Sequence, residues 1–344
     1  MNRHPLTTLC LVCTATIALA QERPQGANDN WLIISQPVIQ QLEKDGKKID
    51  WPGVTAGVAA DPATGEVYMI VPGQGIWKSA DQGQTFTRAD QSEIGGRCET
   101  GYSLNIDPAG RRLACFMLDG KCAMTLDAGK TWQTFADVGR NWDFAAVDWS
   151  QPLPRAIFAA RHESGGEMYL STDAGKTWKI IAKDPKFAAV AIFDDKTLLT
   201  TKGTGVLRST DAGQTWNQVS QFTPIGRVMS VFKGTAYWLA KEGIIISRDR
   251  GATWQVLGSP VEAAWGPMFG KDENHLVVAG KKGILQTTDA GKTWKLAANL
   301  PNVKGFEPTN PGWFLNLAWD PNADVFYASR MGSHTYKYAP PAPK

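Results

Sequence analysis

Two acidic side chains of the 344-residue chain, Asp143 and Glu163, are the best candidates for a catalytic carboxylate pair. Two carboxylates that flank a glycosidic bond can hydrolyse it, and the distance between them decides whether the reaction retains or inverts configuration. The chain also carries aromatic rings, which stack on sugar faces, and arginines, whose planar guanidinium groups bind carboxylates. The candidates for a binding surface are Trp51, Arg97, Arg140, Trp142, Arg161, Arg227, Trp265, Trp313 and Arg330.

Other chemistries lack the residues that they require. Beyond the first 20 residues the histidines are His162, His275 and His334, and their spacing does not suit a metal site. The sequence has no glycine-rich phosphate loop and no Gly-x-Ser-x-Gly nucleophile turn. The formal net charge is only +3, and the chain has no basic tail. We therefore expect no metal, no cofactor and no nucleic-acid partner.

Six copies of a short motif, Ser/Thr-x-Asp-x-Gly-x-Thr-Trp/Phe, recur with a period of about 40 residues. We expect the Asp carboxylate to accept hydrogen bonds from backbone N–H groups of its own turn, and the Gly to adopt a positive φ. The aromatic residue then returns to the core and packs between neighbouring sheets. The motif aspartates, which we expect to be structural, are Asp81, Asp127, Asp173, Asp211, Asp249 and Asp289.

This period matches one four-stranded blade of a β-propeller per repeat. The segment after the sixth motif has three predicted strands, at 314–319, 325–329 and 335–338, but no motif. We predict that an N-terminal apolar strand at 31–35 supplies the missing fourth strand, because closing the ring removes exposed sheet edges. The predicted fold is therefore all-β, a seven-bladed β-propeller, with six blades as the alternative.

The predicted topology separates two faces of the propeller. The loops between blades meet the loops between second and third strands on one face, which we call the loop face. The motif turns lie at the opposite edge, which we call the turn face, so their aspartates are not expected to be catalytic. Asp143 and Glu163 fall on adjacent loops of one blade, and the binding candidates also belong to the loop face.

The six motifs resemble the Asp-boxes of bacterial neuraminidase repeat (BNR) propellers, and the resemblance covers nearly the whole chain after the first 20 residues. That superfamily includes sialidases, xyloglucan-degrading glycosidases, sortilin-type receptors and photosystem II stability and assembly factors. The resemblance therefore implies a fold without specifying an activity. With its small, exported, single-domain form and about 40 residues per blade, the chain most resembles the assembly-factor and exo-sialidase-like groups.

A sialidase-like activity would require an arginine triad, a tyrosine nucleophile paired with a glutamate, and an aspartate acid/base. Tyr102 beside Glu99 is the candidate nucleophile pair. The family's Phe/Tyr-Arg-Ile-Pro signature is absent, which puts this activity in doubt. The candidates for an arginine cluster are Arg97, Arg140, Arg161, Arg227 and Arg330.

Two functional hypotheses follow from these residues. The first is a non-catalytic binding or assembly module that presents its loop face to a protein or a glycan, because the rim is aromatic and charged but lacks a complete catalytic set. The second is a glycoside hydrolase, exo-sialidase-like or xyloglucanase-like, that uses carboxylates at the channel mouth. We expect a monomer in either case.

The N-terminus has the features of a secretory signal peptide. An apolar run at 6–19 precedes small residues, which predicts cleavage after Ala20 and a secreted or periplasmic protein. The run is too short to remain as a membrane span, and no later stretch is long enough. We expect a single propeller domain over 21–338 and a disordered, proline-rich tail over 339–344.

Removal of the signal leaves Cys98, Cys115 and Cys122, and an exported compartment permits a disulfide. The Asp-Gly pair at 119–120 predicts a two-residue hairpin turn, which would place Cys115 opposite Met124. Cys98 lies in the loop that leads into the same blade, on the same face as this turn. We therefore predict that a bridge, if one forms, joins Cys98 and Cys122.

Overall fold

The computed structural model describes residues 30–90, 94–96, 102–139, 142–303, 306 and 315–340. Its strands form seven antiparallel sheets of four strands each. The predicted signal peptide and the last four residues of the predicted tail lie outside the described residues. The structure confirms a seven-bladed β-propeller, and the six-bladed alternative is wrong.

The elements follow one another in a regular order. The described chain starts with β1 (Trp31–Ile33) and α1 (Gln36–Lys44). Blade 1 comprises β2 (Gly57–Ala60), β3 (Val67–Val71), β4 (Gly75–Ser79) and β5 (Thr87–Arg88). Blade 2 comprises β6 (Leu104–Ile106), β7 (Leu113–Cys115), β8 (Ala123–Thr125) and β9 (Gln133–Thr134). Blade 3 comprises β10 (Trp142–Val147), β11 (Ile157–Arg161), β12 (Glu167–Ser171) and β13 (Lys179–Lys183). Blade 4 comprises β14 (Ala191–Ile192), β15 (Leu198–Thr201), β16 (Val206–Ser209) and β17 (Asn217–Ser220).

The remaining blades repeat the pattern. Blade 5 comprises β18 (Ser230–Phe232), β19 (Thr235–Ala240), β20 (Gly243–Ser247) and β21 (Gln255–Val256). Blade 6 comprises β22 (Trp265–Phe269), β23 (Leu276–Gly280), β24 (Gly283–Thr287) and β25 (Lys295–Ala298). Blade 7 comprises β26 (Leu315–Asp320), β27 (Val325–Arg330) and β28 (Tyr336–Tyr338) together with β1. The first strands of the blades surround the central channel, where β2 contacts both β6 and β26.

The ring closes through the N-terminal strand, as the sequence predicts. β1 pairs antiparallel with β28, with Trp31 opposite Tyr338 and Ile33 opposite Tyr336. Trp31 is fully buried, its ring meets the ring of Tyr338 edge-on at 5.4 Å, and its Nε1 donates to the Asn299 carbonyl oxygen at 2.9 Å. Blade 7 is therefore built from both ends of the described chain, which ties the first and last blades together.

The six motif turns, which we call the Asp turns, share one hydrogen-bonding pattern. In the turn of blade 4, Asp211 Oδ1 accepts from Ser209 Oγ at 2.7 Å and from Thr215 N at 2.9 Å. Asp211 Oδ2 accepts from Thr215 Oγ1 at 2.6 Å. Gly213 has a φ of +84°, as expected, and Ala212 before it also lies in the left-handed region, at +60°. The carboxylate therefore spans the turn and reaches the residue four positions on, two residues before the last strand.

The aromatic residues of the motifs join neighbouring blades. Trp216 of blade 4 stacks on Phe158 of blade 3 at 6.2 Å and meets Phe187 edge-on at 5.6 Å. Trp132 of blade 2 donates from its Nε1 to the carbonyl oxygen of Ala89, next to blade 1, at 3.1 Å. The rings thus remove apolar surface from water at the blade interfaces, where rigid aromatic side chains contribute most to packing.

One helix occurs in the described part of the chain, and the sequence analysis missed it. In α1, Val38, Ile39 and Leu42 are buried against the core of blade 1, with Pro37 in the first turn. Proline is favourable there because the first helical N–H groups have no intrahelical partner. The apolar spacing of these residues was a helix signal, but the segment is short and lies between two strands. Among the described residues, no helix is long and apolar enough to cross a membrane.

The predicted register of the blade 2 hairpin is wrong by one residue. Cys115 lies opposite Ala123 rather than Met124, and β7 and β8 are joined by a longer loop than a two-residue turn. The loop backbone at Gly120 packs directly on the glycine pair 95–96, and this close approach sets its shape. Met117 N donates to Cys122 Sγ at 3.1 Å. Cys98 lies outside the described residues, so the Cys98–Cys122 bridge stays a prediction.

Candidate binding site at the channel mouth

The first strand of each blade runs from the loop face to the turn face. Residues at the start of these strands therefore meet at the loop-face end of the central channel. Tyr102 precedes β6, Arg227 precedes β18 and Trp265 opens β22. Tyr102 and Trp265 both line the channel, although they belong to blades 2 and 6.

Tyr102 and Trp265 bridge the channel. Their rings stack with centroids 4.9 Å apart and planes inclined by 30°. Tyr102 Oη accepts from Arg227 N at 3.2 Å, and Trp265 Nε1 donates to the Leu317 carbonyl oxygen at 3.0 Å. Burial raises the pKa of Tyr102, and the Arg227 hydrogen bond opposes this only in part. A tyrosine nucleophile has to be activated by an adjacent base or a lowered pKa, and the environment of Tyr102 acts in the opposite direction.

A second group at this end is built around His162. His162 Nδ1 lies 2.6 Å from Asp143 Oδ1, and His162 Nε2 lies 3.7 Å from Glu163 Oε1. The imidazole therefore lies between the two carboxylates that the sequence predicts as a pair. The His162 side chain is 10% exposed and the Glu163 side chain 67%, so Glu163 faces solvent while the Asp143–His162 contact is protected.

The local backbone explains how Asp143 and His162 meet. β10 and β11 are antiparallel neighbours, and Trp142 lies opposite Arg161, the residue before His162. The register shifts between Trp142 and Phe144, which makes Asp143 the extra residue of a β-bulge. A bulge re-aims a side chain and is common beside functional sites. His162 was absent from the predicted site, and the alignment of β10 with β11 was the signal that could have found it.

Arg227 connects the two groups. Its Nη1 donates to the Ala188 carbonyl oxygen at 2.6 Å, and its guanidinium lies 5.9 Å from the ring centre of Phe144. Burial lowers the pKa of Arg227, whereas the Tyr102 hydroxyl and the Asp143 carboxylate act in the opposite direction. We call the connected set the channel-mouth cluster; its members are Tyr102, Asp143, His162, Glu163, Arg227 and Trp265.

The other predicted residues lie elsewhere. Trp142 is buried in the blade wall, 4.4 Å from the Trp178 ring centre, and leaves little surface for a ligand. Arg161 bonds the Glu167 carboxylate at 3.1 Å instead of joining Arg227. Trp51 is 54% exposed on the loop that leads into blade 1, and Arg330 ends β27. The predicted residues outside the described ones are Arg97, Glu99, Arg140 and Trp313.

Comparisons with known proteins support the fold alone. No family model and no curated protein sequence matches the chain. A structure of YCF48 bound to a D1 peptide is similar, with 16% identity, a TM-score of 0.47, and coverage of 84% of this chain and 94% of that one. A GH74 enzyme of Niastella koreensis matches at 16% identity, with a TM-score of 0.32 and coverage of 83% and 64%.

A third similar structure is PorZ, a bacterial surface component of the type-IX secretion system of Porphyromonas gingivalis. It has 12% identity and a TM-score of 0.51, over 87% of this chain and 39% of PorZ. The three similar proteins differ in what they do. A fold does not specify a function, so the function of this chain has to be argued from its own side chains.

Proposed function

We propose that this protein is an exported, non-catalytic binding or assembly module that engages a protein or a glycan through its loop face. The proposal is carried by the bridge between Tyr102 and Trp265 across the channel mouth. The two stacked rings occupy the centre of the mouth. A glycoside hydrolase instead needs a cleft that encloses the scissile bond between its two carboxyl groups.

The chemistry of the cluster supports the same reading. The Tyr102 hydroxyl is occupied by the Arg227 N–H, and the Asp143 carboxylate is occupied by His162. Trp51 and Glu163 remain accessible on this face, and tryptophan is one of the residue types that most often anchor partners at interfaces. A rigid, internally bonded centre with accessible aromatic and charged side chains suits recognition rather than turnover.

A glycan array combined with a hydrolysis screen tests this proposal. We expect binding without turnover, and weaker binding when Trp51 is replaced by Ala. A matched control is Trp51→Phe, which keeps an aromatic face and should retain most of the binding. Turnover of any glycoside that disappears in Asp143→Asn or Glu163→Gln would overturn the proposal in favour of a glycoside hydrolase.

Export is tested separately. If the apolar segment at 6–19 acts as a signal peptide, N-terminal sequencing of protein from the periplasm or medium should begin at Gln21. Recovery of the protein only in the cytoplasm, with residues 1–20 retained, would contradict the export part of the proposal.

A further inference from the structure

The central channel widens towards the turn face. Its inner part is a cavity of about 170 Å³ that ends at Tyr102 and Trp265. A second cavity of about 760 Å³ opens among the turns of blades 2 to 6 and shares wall residues with the first, including Ile106 and Val228. We call the two together the funnel. The volume of the outer cavity falls in the range of small-molecule sites, about 300–1,000 Å³.

The inner wall of the funnel is mostly apolar, with Asn105, Ser230 and Asn316 as its polar residues. It is formed by side chains such as Val58, Leu104 and Met268. The polar side chain of Asn105 forms hydrogen bonds within the protein. Its Oδ1 accepts from Trp149 Nε1 at 2.8 Å, and its Nδ2 donates to the Ala145 carbonyl oxygen at 3.1 Å. A ligand that enters the channel would therefore contact mainly hydrocarbon side chains.

Four cationic side chains line the outer funnel, and two of them are already paired. Arg112 forms an ion pair with Asp107 at 2.5 Å, and Arg250 forms one with Asp194. Lys233 and Lys271 are exposed, and neither forms an ion pair in the part of the chain that the structure describes. The Lys233 Nζ donates to the Lys271 carbonyl oxygen at 2.9 Å, which places both residues on one wall of the funnel.

The acidic side chains that line the funnel are Asp107 and Asp148. Asp107 is neutralised by Arg112, and Asp148 accepts from the backbone N–H and the hydroxyl of Ser150 at 3.0 and 2.5 Å. Both are buried, and burial raises the pKa of each carboxyl. The wall formed by blades 5 and 6 therefore carries Lys233 and Lys271, with Asp272 and Glu273 exposed on the same turn as Lys271, and the channel beneath it is mostly apolar.

We propose that the funnel binds a single-chain amphiphile with an anionic head. Its unbranched hydrocarbon tail enters the channel towards Trp265, and its head meets Lys233 and Lys271. The lysine ammonium is a compact point charge that donates hydrogen bonds, so it can pair with either a carboxylate or a phosphate head. This site lies at the opposite end of the channel from the loop face, so it is independent of the proposed function.

Calorimetric titration of the purified protein tests the head group. The probes are decanoate and decyl phosphate, compared with decyl maltoside and decyltrimethylammonium at concentrations below micelle formation. We expect both anions to bind more tightly than the neutral and cationic probes, and the tighter anion identifies the head group. A cationic or neutral probe that binds as well as the anions would overturn the proposal, as would an absence of binding by both anions.

Substitution separates the funnel from the loop face. The double variant Lys233→Ala/Lys271→Ala should weaken anion binding by about tenfold or more, because two unpaired charges are removed. The matched control Lys281→Ala/Lys282→Ala, on the loop face, should leave it unchanged. Equal anion affinity in the funnel variant and the unsubstituted protein would overturn the proposal. The funnel variant should keep any glycan or protein binding on the loop face.

The position of the tail is tested by fluorescence. Decanoate with bromine at its terminal carbon should quench tryptophan emission, and Trp265→Phe should remove a defined part of that quenching. Ser230 lines both cavities, so Ser230→Trp should fill the space where they join and abolish binding. The circular dichroism of this variant should match that of the unsubstituted protein. Quenching that is identical in Trp265→Phe would contradict entry of the tail into the channel.

Discussion

The Tyr102 ring in blade 2 stacks on the Trp265 ring in blade 6 across the central channel, with centroids 4.9 Å apart. The pair joins two blades that are not neighbours in the ring, so it braces the channel at its loop-face end. It also separates the loop-face mouth of the channel from the cavity beneath it. On the loop-face side the two rings close the centre of the channel, and on the turn-face side the inner cavity continues into the outer one.

Tyr102→Phe should lower the free energy of unfolding by about 1 kcal/mol, because the Arg227 N–H loses its acceptor while the ring stack remains. Denaturant unfolding measures this change. Tyr338→Phe is the matched control, and we expect it to stay within about 0.5 kcal/mol. An equal effect of the two substitutions would show that the Tyr102 hydroxyl adds nothing specific.

Trp31→Ala should be strongly destabilising, by about 3–5 kcal/mol, because it empties a fully buried site in the closing strand. Trp51→Ala makes the same change at a ring that is 54% exposed and should cost less than about 1 kcal/mol. Thermal or denaturant unfolding compares the two. Similar stability of both variants would contradict the role of β1 in closing the ring.

Asp143→Ala should cost about 1–3 kcal/mol, because it leaves a largely buried imidazole without its carboxylate partner. Glu163→Ala removes the other carboxylate next to His162 but changes a side chain that is 67% exposed. We expect that variant to remain within about 0.5 kcal/mol of the unsubstituted protein. A larger loss in Glu163→Ala than in Asp143→Ala would reverse the roles assigned to the two carboxylates.

The Asp turns predict how stability depends on pH. Hydrogen bonds from Thr215, Thr253 and Thr293 lower the pKa values of Asp211, Asp249 and Asp289 from 3.8 to about 2. A carboxyl with a lower pKa in the folded state than in the unfolded state stabilises the fold above the unfolded value and loses this effect as the pH falls through the folded value. Stability should therefore decline between about pH 4 and pH 2.

Asp211→Asn isolates this contribution. The variant should be less stable than the unsubstituted protein at pH 5, and the difference should shrink towards pH 2, where the native carboxyl becomes protonated. Asp195→Asn, at an exposed position outside the Asp turns, is the control and should show no such trend. Urea titrations at a series of pH values make the measurement, and a constant difference between pH 5 and pH 2 would refute it.

The disulfide prediction can be settled by peptide mapping of the protein without reductant. We expect a linked pair of peptides containing Cys98 and Cys122. Cys115 is fully buried within β7, opposite Ala123, so its recovery in a bridge would contradict the prediction.

Sequence alone was sufficient for the repeat and for much of its geometry. Each Asp turn is closed by hydrogen bonds between residues no more than four positions apart, so its shape depends on local residue types. The number of blades also followed, because the closing strand 31–33 has an apolar pattern and the last segment lacks one strand. The α1 helix and the blade 2 register were missed because packing against neighbouring glycines and core residues sets them.

The identity of the side chains that meet was decided only by the tertiary structure. Tyr102 and Trp265 are far apart in the chain, and the curvature of the closed ring brings their rings into contact. His162 reaches Asp143 because a bulge redirects one residue of β10, and the residue types predict the pairing of β10 with β11 but not this bulge. Local hydrogen bonds can be read from neighbouring residues, whereas contacts across the channel depend on the summed twist and spacing of all seven blades.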